Sequence, residues 1–294
     1  MNPRRRTLLK SAAALLAALG AGAYALHRQQ LSDAQQARLD KARQQQAIWA
    51  AHQDEWNARV AAIQRFSVDG MIARDGLDTF MRYWSAQVVQ RLRRLRTPLD
   101  ALQQEIVHSG SLFYPPASAG DIAAVQDRLQ LRLPPGMLAL LARSDGIKDV
   151  IDCCSSHDPG SELTLQHCAR FDWLHRVNKE LVDIWTRQRD PVPDSDYNVY
   201  GPQQAPELLR VEYLQRIVAI SNVVDGGVYL LNPHIVFPDG EMEVWDFSPK
   251  YPGAVRYRSL YALLEAVCRD DCHNLELWDL DAEWQQKYGV GMVQ

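Results

Sequence analysis

Apolar residues recur at helical spacing through the first third of the chain. From 31 to about 65 they are sparse among Ala, Gln and Arg, which is typical of a long and mostly exposed helix. Ser32, with Gln35 three positions later, has a capping-box pattern and is expected to begin this helix.

Two more helices are predicted before residue 110. The first covers 77–96 and ends in the basic run 91–96, whose leucines at helical spacing favour a solvated helix face over a nucleic-acid or lipid-headgroup site. The second is expected to be capped by Thr97, with a proline and an acid in its first turn, and to end near His108.

A helical hairpin is predicted over 116–146. Ser118 has the position of an N-cap, with Asp121 as its third helical residue. Pro134 and Pro135 end the first helix and begin a second, Leu-rich one, because a proline in the first turn loses no helical hydrogen bond. The spacing explains this stretch as architecture, with no residue reserved for catalysis.

The pattern changes to short β-prone runs after residue 215. The runs 216–221, 228–233 and 241–247 are separated by Asp-Gly turns, which predict an antiparallel meander. A final helix is expected from about 259 to Cys268. Apolar positions between Trp173 and Trp185 have helical spacing and predict a core-facing helix.

Five motifs in this order resemble the SUKH superfamily, which includes Smi/Knr-type cell-wall regulators and bacterial immunity proteins. They are the hairpin with its Leu-Pro-Pro, the strand ending in Leu231-Asn232-Pro233, the strand Glu241–Trp245, the loop Tyr251–Gly253 and the helix start Arg256–Ser259. The resemblance covers about 112–272. The stretch 147–213 is insertion-like and does not align.

The resemblance implies an α+β fold, in which helices flank an antiparallel β-sheet. We therefore expect four regions: a signal or membrane helix over 1–30, a helical region over 31–109, a SUKH-like domain over 110–275 and a C-terminal tail over 276–294. Typical bacterial members lack the first two regions.

The N-terminus predicts export or membrane anchoring. Arg5 and Arg6, followed by Leu8 and Leu9, resemble a twin-arginine signal. The apolar run 11–26 would rise about 24 Å as a helix, short of the roughly 30 Å hydrocarbon core, unless it extends back to Thr7. Both a cleaved signal and a retained anchor fit. The protein is expected at the inner membrane or in the periplasm, with a cytoplasmic N-terminus if it is anchored.

Composition limits the partners and the chemistry. The formal net charge of −4 argues against a nucleic-acid-binding protein. No nucleophile-elbow, zincin, Walker or dinucleotide-binding motif occurs, so we expect no catalytic residue, no cofactor and no metal. A cluster at Cys153, Cys154, His157, His167 and Cys168 lacks the spacing of structural zinc sites.

The five cysteines are interpreted mainly as buried thiols. If the chain is exported, Cys153 or Cys154 with Cys168, and Cys268 with Cys272, are alternative disulfide pairs.

The partner-binding candidates lie on the predicted meander. Glu241 and Glu243 share a strand face with Trp245, which suggests either an exposed sheet face or an acidic and aromatic recognition surface. The full set of candidates is Glu241, Glu243, Trp245, Asp246 and Tyr229.

The resemblance and the export segment together imply a function. They predict a non-enzymatic protein that binds another protein: an immunity protein that neutralises a toxin acting in the cell envelope. The alternative is an envelope scaffold or regulatory protein linked to cell-wall processes.

Overall fold

The computed structural model describes residues 3–63, 67–150, 165–187, 191–250 and 252–291, with side chains from Asp33 onward. The chain divides into two compact units. One contains Met1–Ala62 and Glu283–Gln294, and the other contains Ile63–Ala282.

The first unit is built on helix α1, Pro3–Ala62. Helix α1 passes through Ser32 without a break, so the prediction that Ser32 begins a helix was wrong. Trp284 is fully buried and packs edge-on against Trp56, with ring centroids 5.3 Å apart. His52 stacks on Tyr288 at 4.1 Å. These aromatic contacts join the end of the chain to α1.

The export-signal residues Arg5, Arg6, Leu8 and Leu9 precede the residues whose side chains are described. Within the described part of the chain, no helix is both long enough and apolar enough to cross a membrane.

The second unit begins with five helices. They are α2, Met71–Asp75; α3, Leu77–Leu92; α4, Ala101–Ser109; α5, Ala119–Leu129; and α6, Pro135–Leu141. Ser118 caps α5 by accepting a hydrogen bond of 3.0 Å from the Asp121 backbone N–H, as predicted. Asp100 caps α4 in a capping box with Gln103, so the expected cap at Thr97 was wrong.

The basic run is a solvated surface only in part, because Arg93, Arg94 and Arg96 are exposed and Arg91 is not. Helix α3 ends at Leu92, which is buried, and the Arg91 guanidinium is also buried and forms an ion pair of 3.0 Å with Glu276. Arg96, beyond the helix, pairs with Asp279 at 2.6 Å. Burial of the helix end against the last helix, Leu260–Tyr288, explains why Arg91 is not solvated.

Five strands form one antiparallel sheet, in which neighbours in sequence are neighbours in space. They are β1, Asp172–Trp173; β2, Val218–Ala219; β3, Val228–Val236; β4, Met242–Ser248; and β5, Gly253–Tyr257. The predicted meander and the α+β class are confirmed.

Short helices connect β1 to β2. They are α7, Leu174–Val177; α8, Lys179–Trp185; α9, Asp194–Tyr197; and 3-10 turns at Gly201–Gln203 and Val211–Arg216. A further 3-10 turn, Cys168–Arg170, precedes β1. The single helix predicted over 173–185 is broken at Asn178, whose side chain caps α8 by accepting a 3.0 Å hydrogen bond from the Leu181 N–H.

The last helix, α10, covers Leu260–Tyr288. It continues well past Cys268, the predicted end, so much of the segment expected as a tail is helical.

Both faces of the sheet are covered. Leu231 and Val244 belong to the core shared with α3–α6 and α10. Leu230, Trp245 and Phe247 belong to a second core, closed by the connecting helices between β1 and β2. An antiparallel sheet can leave one face in water, and here the insertion-like stretch removes that face from solvent.

Candidate functional site

Three of the five predicted partner-binding residues are buried. Trp245 and Glu243 are 0% exposed, and Glu241 is 8% exposed. Glu243 and Trp245 do share one face of β4, but that face packs under the connecting helices. The expectation of an exposed meander face, and of a recognition surface made by these three side chains, was therefore wrong.

Glu243 is the centre of a closed hydrogen-bond network. Its carboxylate accepts four hydrogen bonds of 2.6–2.8 Å. The donors are the Tyr197 and Tyr200 hydroxyls, the Asn232 amide and the Trp245 indole N–H. Burial raises the pKa of both tyrosines, so they remain donors at neutral pH. This network attaches the connecting segment to the sheet and leaves no room for a partner.

Glu241 has a second structural role. Its Oε1 accepts a 2.6 Å hydrogen bond from the Gly136 N–H at the start of α6, while its Oε2 is buried and has no hydrogen-bond partner among the described residues. Burial raises the pKa of Glu241, and the Gly136 N–H partly opposes that shift. The carboxylate packs closely on Gly136, since a Cβ there would lie 2.9 Å from Glu241 Oε1 and would require that side chain to shift.

The other two candidates lie together on the opposite face of the sheet. Tyr229 on β3 pairs in register with Asp246 on β4, and both are half-buried. They line a hollow of about 180 Å³ between the sheet and α10. Aromatic rings from Trp84 and Tyr257 contribute to its walls.

The hollow is acidic. The described residues of its lining carry four carboxyl groups, from Asp149, Asp246, Asp270 and Asp271. Among the described residues of the lining, the single basic one is Lys148, which directs its ammonium group to Glu105 at 2.9 Å.

Burial perturbs the acids of the hollow. It raises the pKa of Asp271 well above the usual range, an effect reinforced by Asp149 and Cys272 and opposed by a 3.0 Å hydrogen bond from Trp84 Nε1. Burial also raises the pKa of Asp270, although Arg269 opposes the shift. A cation entering the hollow would favour ionisation of both acids.

Among the described residues, no group of three or more His, Cys, Asp or Glu side chains is arranged to hold a metal ion. Of the cysteine and histidine cluster seen in the sequence, Cys153, Cys154 and His157 lie outside the described residues. His167 lies 3.3 Å from Asp145, and Cys168 is a buried thiol whose pKa is raised to about 12, mainly by burial.

Cys268 and Cys272 are free and fully buried, so the disulfide considered for this pair is not formed.

Sequence reasoning missed Trp84, Tyr257, Asp149, Asp270 and Asp271. Asp270 and Asp271 lie beyond the predicted end of the last helix, and Trp84 lies in a region predicted to be separate from the domain. The sequence contains one signal for these residues, the Asp270-Asp271 pair in an otherwise amphipathic helix. Periodicity alone does not assign such a pair to a site.

Comparisons with protein-family models, with curated proteins and with solved structures find no match to this chain. The fold and the site together define an α+β protein with a small hollow, acidic and aromatic, between its meander and its last helix.

Proposed function

We propose that this chain is a non-enzymatic, SUKH-like protein that binds another protein through the acidic hollow, and that it acts as an immunity protein against a toxin of the cell envelope. The single observation that carries the proposal is the hollow itself, where Tyr229 and Asp246 lie beside Asp270 and Asp271.

The dimensions of the hollow favour a side chain over a metabolite. Its volume of about 180 Å³ is below the roughly 300 Å³ at which small-molecule sites usually begin. One long side chain from a partner would fill it. Carboxylates around aromatic rings suit a lysine or arginine, which gains both an ion pair and a cation–π contact.

Occlusion of a toxin needs only a tight contact surface, and such surfaces depend on a few buried anchor residues. A basic anchor of the toxin, desolvated in this hollow, would supply one. The five motifs that resemble the SUKH superfamily support the immunity role. The N-terminal segment supports placement at the inner membrane or in the periplasm.

The test compares a deletion strain with its parent in competition against sibling cells that release the toxin. We expect the deletion strain to be killed, and full-length protein to restore survival. Asp246→Asn should fail to restore it, whereas Asp127→Asn, an equal charge change on the exposed side of α5, should restore it fully.

Equal survival of the deletion strain and the parent would contradict the immunity role. If a housekeeping envelope protein then binds the wild type and not Asp246→Asn, the alternative of an envelope scaffold takes its place.

A further inference from the structure

A second hollow, opposite in charge to the first, lies along α3. It is a groove of about 620 Å³ between α3 and the loop that follows α4. Its described lining residues include Arg82, Arg93 and Arg94 and none that carries a carboxylate. In a chain with a formal net charge of −4, this is a local excess of positive charge.

Two of the three arginines of the groove, Arg93 and Arg94, are not neutralised by an ion pair within the described part of the chain. The guanidinium groups of Arg93 and Arg94 are exposed, and no described carboxylate forms an ion pair with either. Their neighbours Arg91 and Arg96 behave differently, because they pair with Glu276 and Asp279. The basic run therefore contains two arginines that form ion pairs and two that face solvent at the groove.

The floor of the groove is apolar. Met81 and Val89 are less than one-tenth exposed, and half-buried Phe113 extends the same surface. Ala86, which is exposed on α3, is also part of the lining. The groove thus combines an apolar floor with a cationic rim.

We propose that this groove binds an acidic, amphipathic peptide segment of a protein partner. Apolar side chains of the segment would lie on the floor, and its carboxylates would meet the rim arginines, which can hold a carboxylate by two parallel hydrogen bonds. A bilayer surface fits less well, because a planar array of headgroups cannot follow a concave floor. The proposal is independent of the acidic hollow, since the two surfaces share no lining residue.

The sharpest test introduces a negative or a positive charge at one position of the full-length protein. Ala86→Glu and Ala86→Lys place side chains of similar length at an exposed helical site, and both residues favour a helix. The probe is a fluorescent peptide that repeats Glu-Glu-Leu-Leu, measured by anisotropy, with a Lys-Lys-Leu-Leu peptide as its counterpart.

Wild-type protein should bind the acidic peptide and not the basic one, and more weakly as salt is added. Ala86→Glu should weaken binding by about tenfold or more through like-charge repulsion, and Ala86→Lys should strengthen it. Hydrogen exchange should show that the peptide protects 81–94.

A second pair of variants tests the rim. Arg93→Gln with Arg94→Gln should abolish most of the salt-dependent binding. Arg132→Gln with Arg170→Gln removes the same charge from exposed sites outside the groove and should leave binding unchanged. Circular dichroism confirms that each variant is folded.

Three results would overturn the proposal. They are equal binding of the two peptides, equal effects of Ala86→Glu and Ala86→Lys, or no peptide binding by a protein that binds phosphatidylglycerol vesicles through Arg93 and Arg94. The last result would assign the groove to a membrane surface.

Discussion

The Tyr197 hydroxyl donates a hydrogen bond of 2.6 Å to the carboxylate of Glu243, which is 46 positions away in the chain. This bond joins the connecting helices to strand β4 of the sheet. It makes Glu243 a structural residue, although its sequence context suggested recognition.

We predict that Glu243→Gln destabilises the fold by about 3 kcal/mol. Four donors point at the Glu243 carboxylate, and glutamine replaces one of its two acceptor oxygens by an NH2 donor, which leaves buried donors unpaired. The matched control is Glu212→Gln at an exposed site, which should change the free energy of unfolding by no more than about 0.5 kcal/mol. Urea denaturation measures both. Equal midpoints for the two variants would contradict a structural role for the network.

The burial of Glu243 shows where sequence reasoning succeeded and where it stopped. Local signals were enough for the Ser118 cap and the meander, since capping and Asp-Gly turns act over a few residues. The network was not predictable in this way, because two of its four donors, Tyr197 and Tyr200, come from a segment of unrecognised structure. One signal was available: Val244 and Trp245 are apolar neighbours on β4, as expected of a strand buried on both faces.

The candidate site, too, could be predicted from the sequence only in part. Tyr229 and Asp246 were identified on the meander, but Asp270 and Asp271 lie on α10 and Asp149 lies in the loop after α6. The placement of the two α10 acids depends on how that helix packs on the sheet, which no local pattern specifies.

Gly253 gives a prediction for the Tyr-Pro-Gly loop. A Cβ there would lie 1.9 Å from the Pro206 carbonyl oxygen, which belongs to the backbone and accepts a 3.0 Å hydrogen bond from the Ala254 N–H. Gly253→Ala should therefore destabilise the protein by about 3 kcal/mol or more, as expected for forced overpacking.

The control for this prediction is Gly120→Ala in α5, where the nearest atom would be at an ordinary 3.5 Å. Alanine favours a helix over glycine, so this change should stabilise the fold by about 0.5 kcal/mol. Thermal denaturation distinguishes the two. A folded and equally stable Gly253→Ala protein would show that the close approach of the two backbone segments is wrong.

The N-terminal segment is tested by fractionation. Replacing both Arg5 and Arg6 by lysine should retain the protein in the cytoplasm, because the twin-arginine pathway requires the guanidinium pair. Arg28→Lys, after the apolar run, is the control and should not alter export. Immunoblots of cytoplasm, membrane and periplasm measure the distribution. Cytoplasmic wild-type protein would contradict export.

Asp271 makes stability depend on pH. Its pKa is raised above the ordinary 3.8 by burial, so the folded state holds a proton that the unfolded state releases. The contribution of Asp271 to stability is therefore complete below pH 3.8 and decreases as the pH rises from there through its folded-state pKa. Asp271→Asn should remove this dependence while its side-chain oxygen still accepts the hydrogen bond from Trp84 Nε1.

The measurement is the thermal midpoint of wild type, Asp271→Asn and Asp127→Asn between acidic and mildly alkaline pH. The Asp271→Asn midpoint should exceed that of wild type at alkaline pH, and the difference should shrink toward acidic pH, where the wild-type carboxyl is protonated. Asp127→Asn, at an exposed site, should follow the wild-type curve. A difference that grows toward acidic pH would mean that Asp271 is stabilised as a carboxylate, and the hollow would then contain a permanent buried charge.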